Sequence, residues 1–501
     1  MSNKQNPIVQ YFSEFKILKT VSKDFWLTNL IQFFDGIAYF SLIAIFVLYL
    51  SDYCGFDDAN ASLWVGFYTL FISAFVFAVG SICDIIGLKR SYAIGFCLLL
   101  FGRLVMGLSP DICSSSLGAS IGLDADCARI GVMAGIFIMS FGTAFMSPVI
   151  QTSIRRFTTF TARATGFNVY YLLMNISAVV ASAFVVQGFR DAYGSVDGGF
   201  WVVNFGTAMC CCAFLATRLI NENNYAEPSE RMQTNTQRRP LQLFKEVWKE
   251  SAFRKLILFL VLTLGVRIVF TLQFIVMPQY YVRTLYEDFS IGLVNALNPT
   301  IIVVGLIALI PVLNRFSTVK LMIVGMSISA FSLVFMAVPI DWYYYVPGIE
   351  TRSQAYLVAI VTQILVFAFG ELLFSPRFSE YVARVAPKDK VASYMSISAL
   401  PMFIAKPING IIGGLLVSYF CYDGIAAKID TNHIGFWDSP ELMWMIYLIL
   451  AVVSPLAIIK MKNSITSEHP EEDALKEAEA KKALSEDEVV SAAVVSEEAK
   501  S

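Results

Sequence analysis

Residues 25–50 read FWLTNLIQFFDGIAYFSLIAIFVLYL. As a helix rising about 1.5 Å per residue, this run is long enough to cross a hydrocarbon core of about 30 Å. Its only charged side chain is Asp35. Further apolar runs follow at 62–83, 91–108, 131–150, 165–188, 199–220, 255–280, 291–313, 319–339, 354–375, 391–418 and 439–461. They make twelve expected spans in a 501-residue chain that is 56% hydrophobic and 15% charged. Basic residues fall in alternate connections. One side carries Lys19, Lys23, Lys89, Arg90, Arg155, Arg156, Arg218, Arg238, Arg239, Arg254, Lys255, Lys320, Arg377, Arg384, Lys388 and Lys460, whereas the other holds Arg129, Arg190, Arg283, Arg352 and Lys428. By the positive-inside bias, both termini are expected to face the cytoplasm.

Composition narrows the function classes. The net charge of -2 gives no sign of a nucleic-acid partner, because the charge of each loop counts here and not the sum. Residues 1–24 lack the apolar core of a removable signal peptide, so the first span is expected to start insertion. His433 and His469 are the only histidines, one in a loop and one in the tail. With no metal-ligand cluster and no Ser, His and Asp set, neither an enzyme nor a cofactor is expected. Cys113 and Cys127 share the third connection and are either bridged or free. Asn60-Ala61-Ser62 reads as a glycosylation sequon abutting the second span, an unfavourable place for modification.

The chain divides into an N-terminal segment (1–24), six spans (25–220), a polar basic linker (221–254), six more spans (255–461) and a tail (462–501). Residues 241–249 of the linker suit a short amphipathic helix on the inner membrane surface. From Asn463 the chain carries eleven acidic residues against four lysines, too little apolar surface to fold alone. Two sets of six spans suggest a transporter whose site lies between the halves near mid-membrane.

Charges deep in a span are costly unless they face a wet cavity or a partner. Asp35 in span 1, Arg103 in span 3, Arg267 in span 7, Glu371 in span 10 and Lys406 in span 11 qualify. Gln32, Asp35 and Tyr39 recur at i, i+3 and i+7 on one helical face, which is expected to look into a cavity. Glu371 sits in Phe367-Ala368-Phe369-Gly370-Glu371-Leu372-Leu373-Phe374-Ser375-Pro376, where Gly370 permits close backbone approach and Pro376 invites a bend. Desolvation disfavours a charged carboxyl and a nearby cation favours it. Glu371 is therefore expected to exchange a proton as Arg267 or Lys406 approaches and withdraws. The same two cations suit an anionic substrate group, the guanidinium through paired hydrogen bonds. Arg103 reads more readily as a tie between spans.

Between spans 2 and 3, Gly80-Ser81-Ile82-Cys83-Asp84-Ile85-Ile86-Gly87-Leu88-Lys89-Arg90 resembles the loop motif of the major facilitator superfamily. The resemblance implies an all-α membrane fold of twelve transmembrane helices in two six-helix bundles. It makes Asp84, Gly87, Lys89 and Arg90 a gate on the cytoplasmic face. Within that superfamily the chain resembles the proton-dependent oligopeptide transporter family at three places. These are Phe167-Asn168-Val169-Tyr170-Tyr171-Leu172-Leu173-Met174-Asn175-Ile176-Ser177, the stretch Gly370-Glu371 with Ser375-Pro376 and Ala386-Pro387, and Ala44–Leu50 at the end of span 1. Departures accompany the likeness. Where the family carries two glutamates and an arginine on span 1, this chain has Gln32, Asp35 and Gly36, and where the family has a lysine before proline in span 4, it has Ser147-Pro148.

The resemblance implies a secondary transporter working by alternating access, with protons and a small-molecule substrate as partners and the lipid bilayer around a monomer in the plasma membrane. Glu371 and Asp35 are the expected proton-coupling residues. Gln32, Tyr39, Tyr170, Tyr171, Asn175, Arg267, Gln273 and Lys406 are the expected substrate-binding residues. The missing family groups leave two substrate readings open: symport of peptides or amino-acid-like solutes, and uncoupled passage of another small polar metabolite such as a sugar, nucleoside or organic acid.

Overall fold

The computed structural model describes residues 18–19, 21–116, 120, 124–159, 162–226, 251–285, 289–313, 316–385, 398, 400–423, 426–427 and 435–465. The expected surface helix at 241–249, the acidic tail beyond 465 and Ala386-Pro387 lie outside the described residues. Twelve spans form. α1 (Lys23–Leu48) widens into a π-helical turn at Tyr49–Tyr53, and α2 (Asp58–Ile86), α3 (Leu88–Ser114) and α4 (Ala125–Phe157) follow. α5 runs as Arg163–Val179, a wide-turn stretch Val180–Val186 and Gln187–Tyr193, and α6 is Ser195–Thr217. The second set is α7 (in pieces, below), α8 (Ile291–Leu313), α9 (Thr318–Phe331, continued by Val334–Ala337), α10 (Arg352–Val385), α11 (Leu400–Phe420) and α12 (Pro440–Ile465). A two-residue hairpin, Tyr422–Asp423 against Ala426–Ala427, follows α11.

Eleven of these helices are long and apolar enough to cross a membrane singly, and α7 makes the twelfth as a bent span. Here the expected uninterrupted run 255–280 is corrected. α7 is Ser251–Leu262, Leu264–Ile275 and Met277–Thr284, with a 52° bend between the first two pieces. At the bend the Thr263 hydroxyl donates to the Leu260 carbonyl (2.7 Å), and its N–H is shared between the Phe259 and Leu260 carbonyls. That tightened turn is where the axis changes direction. The second break precedes Pro278, which has no N–H to give. Conversely, Pro376 lies inside α10 without breaking it, one missing hydrogen bond being tolerated where neighbouring helices pack around the span.

Large apolar side chains such as Phe184, Leu215, Val304, Ile449 and Leu456 point outward from the spans, the surface that a bilayer covers. The chain is an integral, multi-pass membrane protein. Across the seam between the two bundles, α2 packs on α11, α5 on α8, and α1 on α7. The α2–α11 contact is backbone to backbone at Gly66 and Gly410, where a methyl on either residue would strike the other helix.

Candidate functional site

The intramembrane charges are shared between the seam and the interiors of the two bundles. On α1, Gln32 is buried while Asp35 and Tyr39 keep partial exposure. From the other bundle the Lys406 ammonium donates to the Tyr39 hydroxyl (3.1 Å) and lies 5.6 Å from its ring centre. One residue on, Pro407 leaves the Phe403 carbonyl without its helical donor, and Ser73 Oγ of α2 donates to that carbonyl (3.2 Å). Asp35 makes no ion pair among the described residues and interacts electrostatically with Arg103. Arg103, 3% exposed, donates through Nη2 to the Ala38 carbonyl of α1. On α5, Tyr170 faces Asp35, and Tyr171 packs across the seam on Ile302, Leu306 and Leu372. Asn175 is buried and donates to the Tyr171 carbonyl of its own helix (2.9 Å).

In the second bundle, Glu371 accepts from Asn298 Nδ2 of α8 (3.1 Å). Asn295, one turn along α8, is 3% exposed and neither its amide nitrogen nor its oxygen has a partner. Three rings stand around the Arg267 guanidinium, with centroids at 5.3 Å (Phe270), 4.8 Å (Phe374) and 4.4 Å (Phe378), a cation–π arrangement. Glu371 and Arg267 interact electrostatically without an ion-pair contact. Gln273 turns away from the seam and donates to Gln363 (3.2 Å), which donates to Ser332 (3.3 Å), so it ties α7, α10 and α9 together.

Toward the end opposite the basic loops, charged groups bridge the bundles. Arg283 Nη2 at the end of α7 lies 2.9 Å from Asp52 and 2.8 Å from Asp58, and its Nε donates to the second Asp58 oxygen (2.9 Å). Ser51 adds a contact at 3.3 Å. Below this clasp Ser62 donates to Gln279 (3.1 Å), which commits the sequon's serine to the seam. The Gly292 N–H of α8 donates to Gln187 of α5 (3.2 Å). These cross-bundle bonds run from mid-membrane to the opposite end.

At the basic end the loop motif ties the first bundle to itself. Gly87 adopts φ +85°, a left-handed turn that favours glycine. Lys89 Nζ donates to the Arg218 and Ile220 carbonyls at the end of α6 (both 3.2 Å), capping a negative helix terminus. Glu222 returns to accept from the Lys89 N–H (3.2 Å). Asp24 accepts from the Asn221 N–H (2.8 Å) and the Asn224 amide (2.7 Å). Arg90 is exposed, and the Asp84 side chain lies outside the described residues. No described cysteine is bridged, Cys113 and Cys127 included.

Sequence inspection missed Asn295 and Asn298, two polar residues at i, i+3 within an otherwise apolar span, and the Arg283, Asp52 and Asp58 clasp. The available signal for the clasp was charge rarity, since Arg283 is one of few cations on its side.

Solved structures share this architecture. A POT family transporter in complex with 5-aminolevulinic acid superposes with a TM-score of 0.65 at 15% identity, covering 88% of this chain and 96% of that one. Peptide transporter POT in complex with sulfate gives 0.63 at 16%, covering 90% and 98%. The nucleoside transporter NupG gives 0.62 at 14%, covering 88% and 100%. No curated protein sequence matches the chain significantly. The profile of the Major Facilitator Superfamily matches residues 28–397, more than half of the sequence and both sides of the linker, and the chain belongs to that superfamily.

Proposed function

We propose that this transporter is a proton-coupled symporter of small peptides or amino-acid-like solutes. The observation that carries the reading is a pair of largely buried carboxylates, Asp35 and Glu371, one in each bundle. Neither has an ion pair among the described residues, and each has a buried arginine near it. Such groups change protonation at modest cost when a cation or a substrate moves. Lys406 is the cation placed to meet an anionic substrate group, with Gln32, Tyr39, Tyr170, Tyr171 and Asn175 around it. Arg267 balances Glu371 from its aromatic box. Gln273 is left out of this assignment. The described contacts fit one end point of a rocking cycle, closed at the end opposite the basic loops and inward-facing if both termini are cytoplasmic. Asp84, Gly87, Lys89 and Arg90 hold the basic face, and the protein works as a monomer in the plasma membrane.

The test is uptake into reconstituted vesicles under an imposed pH gradient. Dipeptide accumulation is expected to collapse with a proton ionophore. Glu371→Gln is expected to abolish gradient-driven accumulation while retaining substrate exchange. Accumulation that is indifferent to the ionophore and to Glu371→Gln would overturn the coupling and leave a facilitator of another polar metabolite.

A further inference from the structure

The first bundle holds a charge arrangement that the proposed transport cycle has not yet used. Arg103 of α3 lies at the heart of that bundle, and its Nη2 bonds the Ala38 carbonyl, one helical turn beyond Asp35 on the same face of α1. Its Nε and Nη1 are buried and have no partner. Room for the head group comes from α6, because a methyl on Gly206 would stand 2.8 Å from Nη1 and 3.4 Å from the Ala38 carbonyl. Buried N–H groups without a partner favour a conformation that brings them an acceptor.

The acceptor that Arg103 acts on electrostatically is the Asp35 carboxylate, which itself makes no hydrogen bond or ion pair among the described residues. Other titratable groups that act on Asp35 or feel it are Tyr68 on α2, Tyr92 on α3, Tyr170 on α5 and Cys210 on α6. All four are neutral near pH 7 in their ordinary range. Lys406 is occupied with the Tyr39 hydroxyl. Arg103 is thus the cation that sets whether Asp35 carries its proton.

We infer that Arg103 is a positioning residue for proton coupling, supplying from α3 the positive charge that acts on Asp35. Asp35 takes up a proton while Arg103 rests on the Ala38 carbonyl, and releases it when Nε and Nη1 swing onto the carboxylate. No bond other than the O–H changes. The proton leaves by the side of the seam then open. This inference rests on the symport reading above.

The experiment measures peptide uptake against external pH in vesicles containing the full-length chain. Arg103→Gln is expected to move the midpoint of the uptake profile to higher pH by about one unit, the scale of a lost cation near a carboxyl. Arg103→Lys is expected to restore most of it. Gly206→Ala, which displaces the guanidinium and leaves the charge, is expected to give a smaller shift of the same sign. In an Asp35→Asn background Arg103→Gln is expected to add no shift. Parental uptake without pH dependence defeats the symport reading itself. Parental pH dependence with an unmoved midpoint in folded Arg103→Gln and Gly206→Ala defeats the inference alone.

Discussion

The two ends of the molecule use charge in opposite ways. At the end far from the basic loops, Arg283 reaches from α7 to Asp52 and Asp58 and joins one bundle to the other. At the basic end, Lys89, Glu222 and Asp24 bind the connection after α6 back onto the bundle that precedes it. In the proposed rocking cycle a bond that crosses the seam has to break, whereas a bond inside one bundle travels with it. The first kind sets the balance between conformations, and the second sets the rigidity of a moving part.

Removing the crossing cation should have the largest effect. Arg283→Ala leaves two partly buried carboxylates facing each other without a counter-ion, a loss on the order of 3 kcal/mol, which moves a 99:1 balance close to parity. Accessibility of the seam near Gln279 to a membrane-impermeant thiol reagent, probed at an introduced cysteine, checks it. An unchanged labelling rate from that end would erase the contrast between the two ends. Asp58→Asn should do less, because Asp52 still holds the guanidinium, and a rise in labelling of about tenfold, roughly 1.4 kcal/mol, is expected.

Lys89→Ala sharpens the comparison from the other side. Its two bonds lie within the first bundle, so labelling at the far end should stay within about twofold. Proteolysis just after Arg218 should rise about threefold, as fits one exposed hydrogen-bonded tie of roughly 0.6 kcal/mol. A large change at the far end would show that the basic-end latch crosses the seam after all.

The smallest effect belongs to Asp57, which caps α2 by accepting from the Asn60 N–H (2.9 Å) and so presents Asp58 to Arg283. The Asn60 backbone N–H and side-chain amide hold the Asp57 carboxyl below the usual carboxylate range. A depressed native value means that the cap contributes above the ordinary aspartate range of about 3.9 and is lost as pH falls through the native value. Asp57→Ala should cost about 0.5 kcal/mol of stability at neutral pH, and less once the parent is acidified below that range, as read by thermal unfolding in detergent.

Much of this was legible in the sequence. Span length and the alternation of basic loops depend on local composition, which is why α8 occupies the expected 291–313 and Glu371 and Lys406 meet residues of the first bundle. Gly370 indeed meets Gly325 and Ser329 of α9 at a close crossing. What escaped was set by partners distant in the chain. Nothing near Arg267 announces that Phe374 and Phe378 will enclose it, nothing near Gln273 announces Gln363, and the bend at Thr263 has no proline to signal it. Nothing near Asn298 in the sequence announces that α10 will bring Glu371 against it.

In the proposed cycle two rigid bundles exchange between a state closed at the Arg283 end and a state open there. Spin labels at Ala125→Cys and Glu350→Cys, exposed sites at that end of the first and second bundle, test it most directly in a background with the other exposed cysteines replaced. The account predicts one short distance population in the parent and a second, longer one in Arg283→Ala. A single distribution that neither Arg283→Ala nor a change of pH or substrate displaces would contradict it.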